Sequence, residues 1–260
     1  MTSREQLQSA QRIVVKVGSS SISGDREHQI HALVDALATW RSHGKDVVLV
    51  SSGAIATGAP FLQLTDRPQD LATQQAAAAV GQSLLMARYH ALFEKHSVIT
   101  GQVLLTVGDL ENPTHRVNAS RTMERLLGLG IVPIVNENDT VATQEIRFGD
   151  NDRLAALVSE LVNADLLVLL SDVDGLYTKP PAEPGAERID TVLWGDDLAG
   201  IELGAALVNS VGTGGAVTKV SAARMATQAG IPTLLTATSL IGDVVAGETV
   251  GTWFEPAPLH

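Results

Sequence analysis

The stretch Arg12-Ile13-Val14-Val15-Lys16-Val17-Gly18-Ser19-Ser20-Ser21 decides the fold. Its first six residues are almost continuously apolar and rich in β-branched side chains, as expected of a strand buried on both faces. A glycine and three serines then end the run.

The same unit recurs outward from there. Asp46-Val47-Val48-Leu49-Val50 reads as a second strand. Between the two, Ile30, Leu33, Val34 and Leu37 fall on one helical face, and Gly44 stands where that helix stops. Further strands are expected at Val98-Ile99 through Leu105, Ile131 to Val135, Leu166 to Leu170, and Ile231 to Leu235. Helices are expected near Pro68–Phe93, Arg116–Leu127, Arg153–Leu161 and Val217–Ala229. The first of these carries Ala76-Ala77-Ala78-Ala79, the strongest helix-forming residue in series. Strand–helix alternation with apolar strands predicts an α/β fold: a three-layer α/β/α sandwich around a mostly parallel central sheet. Strand order is not legible. Lys179-Pro180-Pro181-Ala182-Glu183-Pro184-Gly185 either divides two halves or is a surface insertion. With no internal repeat and no long linker, residues 1–260 read as a single domain.

Composition narrows the function. The chain is 45% hydrophobic and carries 18 basic against 29 acidic residues, a formal charge of −11. A mean hydropathy of +0.15 excludes wholesale disorder. Apolar runs such as Leu166-Leu167-Val168-Leu169-Leu170 are far shorter than the ~18 residues of a membrane span. The acidic balance argues against nucleic acid as a partner, because phosphate backbones are held by a basic face. The polar start Met1-Thr2-Ser3-Arg4-Glu5-Gln6 has no apolar segment behind it, so no secretory leader is expected. Zero cysteines exclude disulfides and thiolate metal sites and are compatible with the cytosol.

Ligands of open parallel sheets bind beyond the carboxyl ends of the strands, so the residues that follow each strand are the candidates. Lys16 is a charge near the end of an otherwise buried strand. It either snorkels to water or neutralises a phosphate, with the amides of Gly18-Ser19-Ser20-Ser21 beside it. Gly212-Thr213-Gly214-Gly215-Ala216-Val217-Thr218-Lys219 precedes a helix and would gather free amides and the positive dipole end at one place. It lacks the GxxxxGK[ST] spacing of a Walker A loop, and its alternative is a flexible loop that merely starts a helix. Lys219 in a first turn opposes the dipole, a conflict that a bound anion would remove. Asn136-Glu137-Asn138-Asp139 and Gly149-Asp150-Asn151-Asp152 are each turn-like; together they offer carboxylates and amides for an ammonium and a carboxylate. Asp152 could cap the helix beginning at Arg153, pair with a lysine, or both. The seven histidines show no zinc-like spacing. No GxSxG elbow and no GxGxxG after the first strand is present, which disfavours a hydrolase and a dinucleotide enzyme.

These motifs, with Ser51-Ser52-Gly53-Ala54-Ile55 and Ser171-Asp172, resemble the amino acid kinase superfamily and within it most closely the glutamate 5-kinases. The resemblance runs from about Arg12 to Thr252, and NEND followed by GDND is its specific part. It implies transfer of the ATP γ-phosphoryl group to the side-chain carboxylate of L-glutamate, the first step of proline biosynthesis. By the same resemblance Lys16, Lys219 and Asp152 are catalytic, with Asp152 orienting the lysines. Ser52, Asp139 and Asn151 hold glutamate, with Asn136 as support. Lys16, Ser171, Asp172, Thr213, Gly214, Gly215, Ala216, Val217, Thr218 and Lys219 contact the nucleotide. Mg²⁺ would bridge the ATP phosphates, with no protein ligand assigned. A carboxylate is already a nucleophile at neutral pH, so the missing catalytic histidine is consistent. The resemblance further implies a cytoplasmic homodimer or homotetramer, feedback inhibition by L-proline, and no nucleic-acid or membrane partner. Other superfamily activities, on acetylglutamate, aspartate or a nucleoside monophosphate, and a silent nucleotide or amino-acid sensor are the alternatives. Departures are small: Ser51 and Ser171 replace a common threonine, and the chain is compact after Thr236. The C-terminal PUA domain of many members is expected to be absent.

Overall fold

A computed structural model describes residues 5–22, 24–64, 68–141, 151–199, 201 and 215–258. In chain order the strands are β1 (Arg12–Val17), β2 (Asp46–Ser51), β3 (Thr100–Leu105), β4 (Val132–Glu137), β5 (Leu166–Ser171), β6 (Leu176–Tyr177), β7 (Arg188–Ile189), β8 (Thr191–Val192), β9 (Thr233–Ala237) and β10 (Thr252–Phe254). The helices are α1 (Gln6–Ser9), α2 (Gln29–Ser42), α3 (Ala54–Gly58), α4 (Leu71–Glu94), α5 (Val107–Glu111), α6 (Pro113–Gly128), α7 (Asn151–Leu161), α8 (Ala216–Gln228) and α9 (Ile241–Ala246).

Eight strands form one sheet in the order β3-β4-β2-β1-β5-β9-β10-β8. Strand β1 lies inside it, parallel to β2 on one side and to β5 on the other. Alternation along β1 sends successive residues to opposite faces. Val15 and Val17 join Leu49, Ile134, Trp40, Tyr89 and Phe93 in one apolar layer, against α2, α4 and α9. Val14 joins Val48, Val50, Met123, Leu154, Val158 and Ala223 in the other, against α6, α7 and α8. The mostly parallel three-layer sandwich expected from the apolar strands is therefore observed. The exceptions are β10, antiparallel to β9, and β8, which runs parallel to β10. Three residues are too few for a periodicity to register.

Caps set the helix starts where periodicity does not. Asp70 accepts from the Thr73 amide and begins α4 at Leu71. Asn112 accepts from the Thr114 and His115 amides ahead of Pro113, so α6 begins before the expected Arg116. Lys179 to Gly185 lies in the tip of the antiparallel β6–β7 hairpin, a surface excursion. None of the described helices is long and apolar enough to cross a membrane.

One contact positions the site directly. Gly58 at the end of α3 and Gly81 in α4 meet backbone to backbone: a Cβ on Gly81 would fall on the Ala54 carbonyl, and one on Gly58 on the Ala77 carbonyl. The residues after β2 are thereby fixed against α4.

Candidate active site

Lys16 occupies the α7–α8 face of β1, because its neighbours Val15 and Val17 take the other. Asp152 lies in the first turn of α7 and Lys219 in the first turn of α8. The three converge on one point. Lys16 Nζ stands 2.6 Å from Asp152 Oδ1, and Lys219 Nζ donates to Asp152 Oδ2 at 3.3 Å. Thr218 Oγ1 also donates to Asp152 Oδ2, at 2.8 Å. All three charged residues are buried, at 3%, 1% and 7% exposure for Lys16, Asp152 and Lys219.

Burial alone would raise the Asp152 carboxyl, but the fields of Lys16 and Lys219 and the bonds from Lys16 and Thr218 outweigh it. The carboxyl is pulled down to about 2. It is ionised at neutral pH, and two cations less one anion leave the cluster net positive. An acidic protein thus holds a local cationic site suited to a polyanion. The carboxylate belongs to the body of α7 rather than to its cap, and both of its oxygens are engaged by the α8 and β1 side chains. The snorkelling alternative for Lys16 is excluded by its burial.

The turns around the cluster are narrow and small-sided. A Cβ on Gly18 would lie 3.6 Å from Lys16 Nζ, so the turn passes directly beside the ammonium. Gly53 adopts a left-handed φ of +112°, which favours glycine, and packs its Cα side on Ser19. The Ser52 amide donates to the Val17 carbonyl at 3.1 Å. The turns after β1 and β2 are therefore in contact, and Ser52, half-buried, lies between them. Gly215 caps α8, with Gly215, Ala216 and Thr218 half-buried and Val217 exposed. Thr218, expected on the nucleotide loop, places its hydroxyl between Asp152 Oδ2 at 2.8 Å and the Gly215 carbonyl at 3.0 Å.

The remaining candidates divide. Asn136 is buried and its side-chain amide is committed: Nδ2 donates to Gln82 Oε1 at 2.8 Å, and Oδ1 accepts from the Glu137 amide at 2.9 Å. That makes it a fixture of the β4 turn. Asp139 is half-buried just beyond the same strand. Asn151 is buried with no hydrogen-bond partner for its Oδ1 among the described residues. Ser171 and Asp172 lie at the end of β5, where Ser171 Oγ donates to Asp172 Oδ1 at 3.2 Å and Thr238 Oγ1 donates to the Ser171 carbonyl. Thr213 and Gly214, with Gly149 and Asp150, lie outside the described residues. Sequence reasoning missed Gln82 and Tyr89 of α4. The available signal was polar atoms at helical spacing along an otherwise apolar face.

The model of the amino acid kinase family matches residues 11–237. A glutamate 5-kinase of Leifsonia xyli subsp. xyli is 68% identical over 254 residues, covering 98% of this chain and 94% of its own. One of Clavibacter michiganensis is 66% identical, covering 98% of each chain. A longer one, of Salinispora arenicola, is 56% identical over 98% of this chain and 70% of its own. Among solved structures, a UMP kinase of Bacillus anthracis shares the fold at a TM-score of 0.60 and 14% identity, over 96% of this chain and 99% of that one. With the buried lysine–aspartate–lysine cluster at the carboxyl edge of a parallel sheet, these likenesses define the assignment: the chain belongs to the amino acid kinase family, among its glutamate 5-kinases.

Proposed function

We propose that the protein transfers the γ-phosphoryl group of ATP to the side-chain carboxylate of L-glutamate, giving L-glutamyl 5-phosphate, the first step of proline biosynthesis. The observation that carries the reading is Asp152 held between Lys16 at 2.6 Å and Lys219 at 3.3 Å, from opposite ends of the chain. Phosphoryl transfer is catalysed by positioning and charge stabilisation rather than by covalent chemistry of the protein. Two fixed ammoniums on one carboxylate supply both, oriented before the substrates arrive. The free amides at the start of α8 add the positive dipole end for a phosphate. Ser52, Asp139 and Asn151 are the proposed glutamate contacts, and the Asp139 carboxylate suits the α-ammonium that N-acetylglutamate lacks. Ser171, Asp172 and residues 213–219 are proposed for the nucleotide.

Among the described residues no group of three or more acidic or histidine side chains could hold a metal ion. Asp152 is already occupied by its lysines. A divalent ion, proposed to be Mg²⁺, would enter with the nucleotide phosphates, where it would neutralise charge. We further propose that residues 1–260 act as one kinase domain, cytoplasmic and homo-oligomeric, inhibited by L-proline at the glutamate site. The open edge strand β3 with exposed Ile99 and Leu104 supports self-association. Sedimentation and a proline titration test those two points. For the reaction itself, the protein is incubated with ATP, Mg²⁺, L-glutamate and hydroxylamine. Glutamate-dependent ADP release with γ-glutamyl hydroxamate is expected. Neither product appearing, or an acceptor panel favouring acetylglutamate, aspartate or UMP, would overturn the assignment.

A further inference from the structure

We infer that Gln82 and Tyr89 of α4 are positioning residues for the acceptor substrate, each holding one of the two turns that carry candidate glutamate contacts. The inference rests on the glutamate kinase reading above. Strands β2 and β4 are parallel neighbours paired Leu49↔Ile134 and Val50↔Val135. One residue further along this register stand Ser51 and Asn136. By alternation they share the face of Leu49 and Ile134, which is the face that α4 covers.

Both are met there by a polar group of α4. Ser51 Oγ donates its single proton to the Ser52 carbonyl at 3.0 Å. The 2.8 Å contact between Ser51 Oγ and the Tyr89 hydroxyl therefore has Tyr89 as donor. Ser51 and Tyr89 are both buried, and Tyr89 stays a neutral donor because burial pushes its phenol well above the ordinary range. The chain of bonds runs from Tyr89 through Ser51 to the backbone of Ser52. On β4 the Glu137 amide takes Asn136 Oδ1, which leaves Nδ2 to face α4, and Gln82 Oε1 receives it. Gln82 and Tyr89 stand two helical turns apart, roughly 10 Å, so one rigid helix sets both turns. Gly81, next to Gln82, seats α4 against the Ala54 carbonyl with no room for a Cβ between them. Phosphate-side groups come from the other face of the sheet, through α7 and α8. The two faces thus divide the work: acceptor turns on one, phosphoryl charges on the other.

The test uses Tyr89→Phe and Gln82→Met in the full chain, with hydroxamate initial rates measured against glutamate and against ATP. Leu85→Ala, which removes buried apolar volume from α4, is the control for simple destabilisation. Each of the two variants is expected to raise KM for glutamate about three- to ten-fold, the worth of one buried hydrogen bond, with KM for ATP within about two-fold. Leu85→Ala is expected to lower the melting temperature with glutamate KM unchanged. Tyr89→Phe deletes a single oxygen, so it keeps the test decisive should Gln82→Met fold poorly. An active wild type with unchanged glutamate KM in Tyr89→Phe overturns the positioning role and leaves the kinase reading intact. An equal rise in both KM values, or a glutamate KM rise in Leu85→Ala, overturns it as well. A wild type without glutamate-dependent hydroxamate overturns the kinase reading first.

Discussion

Lys16 Nζ and Asp152 Oδ1 are 2.6 Å apart in the buried interior, one on the first strand of the sheet and the other in the first turn of α7. A buried ion pair of this kind is weak evidence for stability, because desolvation offsets much of the attraction. Here the same carboxylate also holds Lys219 at 3.3 Å and the Thr218 hydroxyl at 2.8 Å. An arrangement that concentrates a net positive charge under a glycine turn is explained by its use on an anion.

Replacing either lysine removes one of the two charges placed for the phosphoryl group. Lys16→Met and Lys219→Met are each expected to lower kcat in the hydroxamate assay by about 10²–10³-fold, as removal of one oriented donor does. Lys16→Met should also cost more stability, since the shorter pair is the one lost. Near wild-type turnover in either would refute the assigned role.

Asp152→Asn leaves two buried ammoniums without their counter-charge. The expected loss is about 3–5 kcal/mol of unfolding free energy, the cost of stripping one partner from a buried pair. Urea denaturation at neutral pH measures it, and turnover should fall with it. A loss within experimental error would mean that the lysines reach water freely.

The Asp152 carboxyl titrates at about 2 in the fold against 3.8 when exposed. A depressed carboxyl contributes stability that is fully present above the unfolded value and vanishes as pH falls through the folded one. The window is therefore pH 4 to 2, and the contribution is on the order of 2 kcal/mol. Comparing urea denaturation of wild type and Asp152→Asn from pH 5 to 2 isolates it. The gap between the two stabilities should narrow by about that 2 kcal/mol across the window, and parallel curves would contradict the assignment.

Gly81→Ala places a methyl group on the Ala54 carbonyl, a backbone contact that no rotamer relieves. We expect about 1–3 kcal/mol of destabilisation, as for other overpacked sites. Because only Gly53 separates α3 from Ser52, a raised glutamate KM should accompany it. An unchanged melting temperature would show that the two helices separate easily.

Most of the scaffold was legible from local pattern. Apolar runs such as Arg12–Val17 and Leu166–Ser171 are strands because residues apolar on both faces have no helical stripe to form. The lysines were legible too, since Lys16 is a charge near the end of the β1 apolar run and Lys219 sits in a first turn where the dipole disfavours it. The antiparallel β10 and the short α3, α5 and α9 were not, because three strand residues or fewer than two helical turns are too short for a pattern to register.

By itself, then, the sequence determined the α/β class, the strand–helix alternation, and a set of charged and glycine-rich turns at strand ends. Periodicity encodes which side of an element is buried, and this much is local. Only the tertiary structure decided what each buried side meets: the strand order β3-β4-β2-β1-β5-β9-β10-β8, and the convergence of Lys16, Asp152 and Lys219 from three separate elements. It also decided that Asn136 and Ser51 are held by Gln82 and Tyr89 of α4. A hydrogen bond or ion pair between residues far apart in the chain depends on the register of parallel strands and the seating of one helix on another, and neither leaves a local trace.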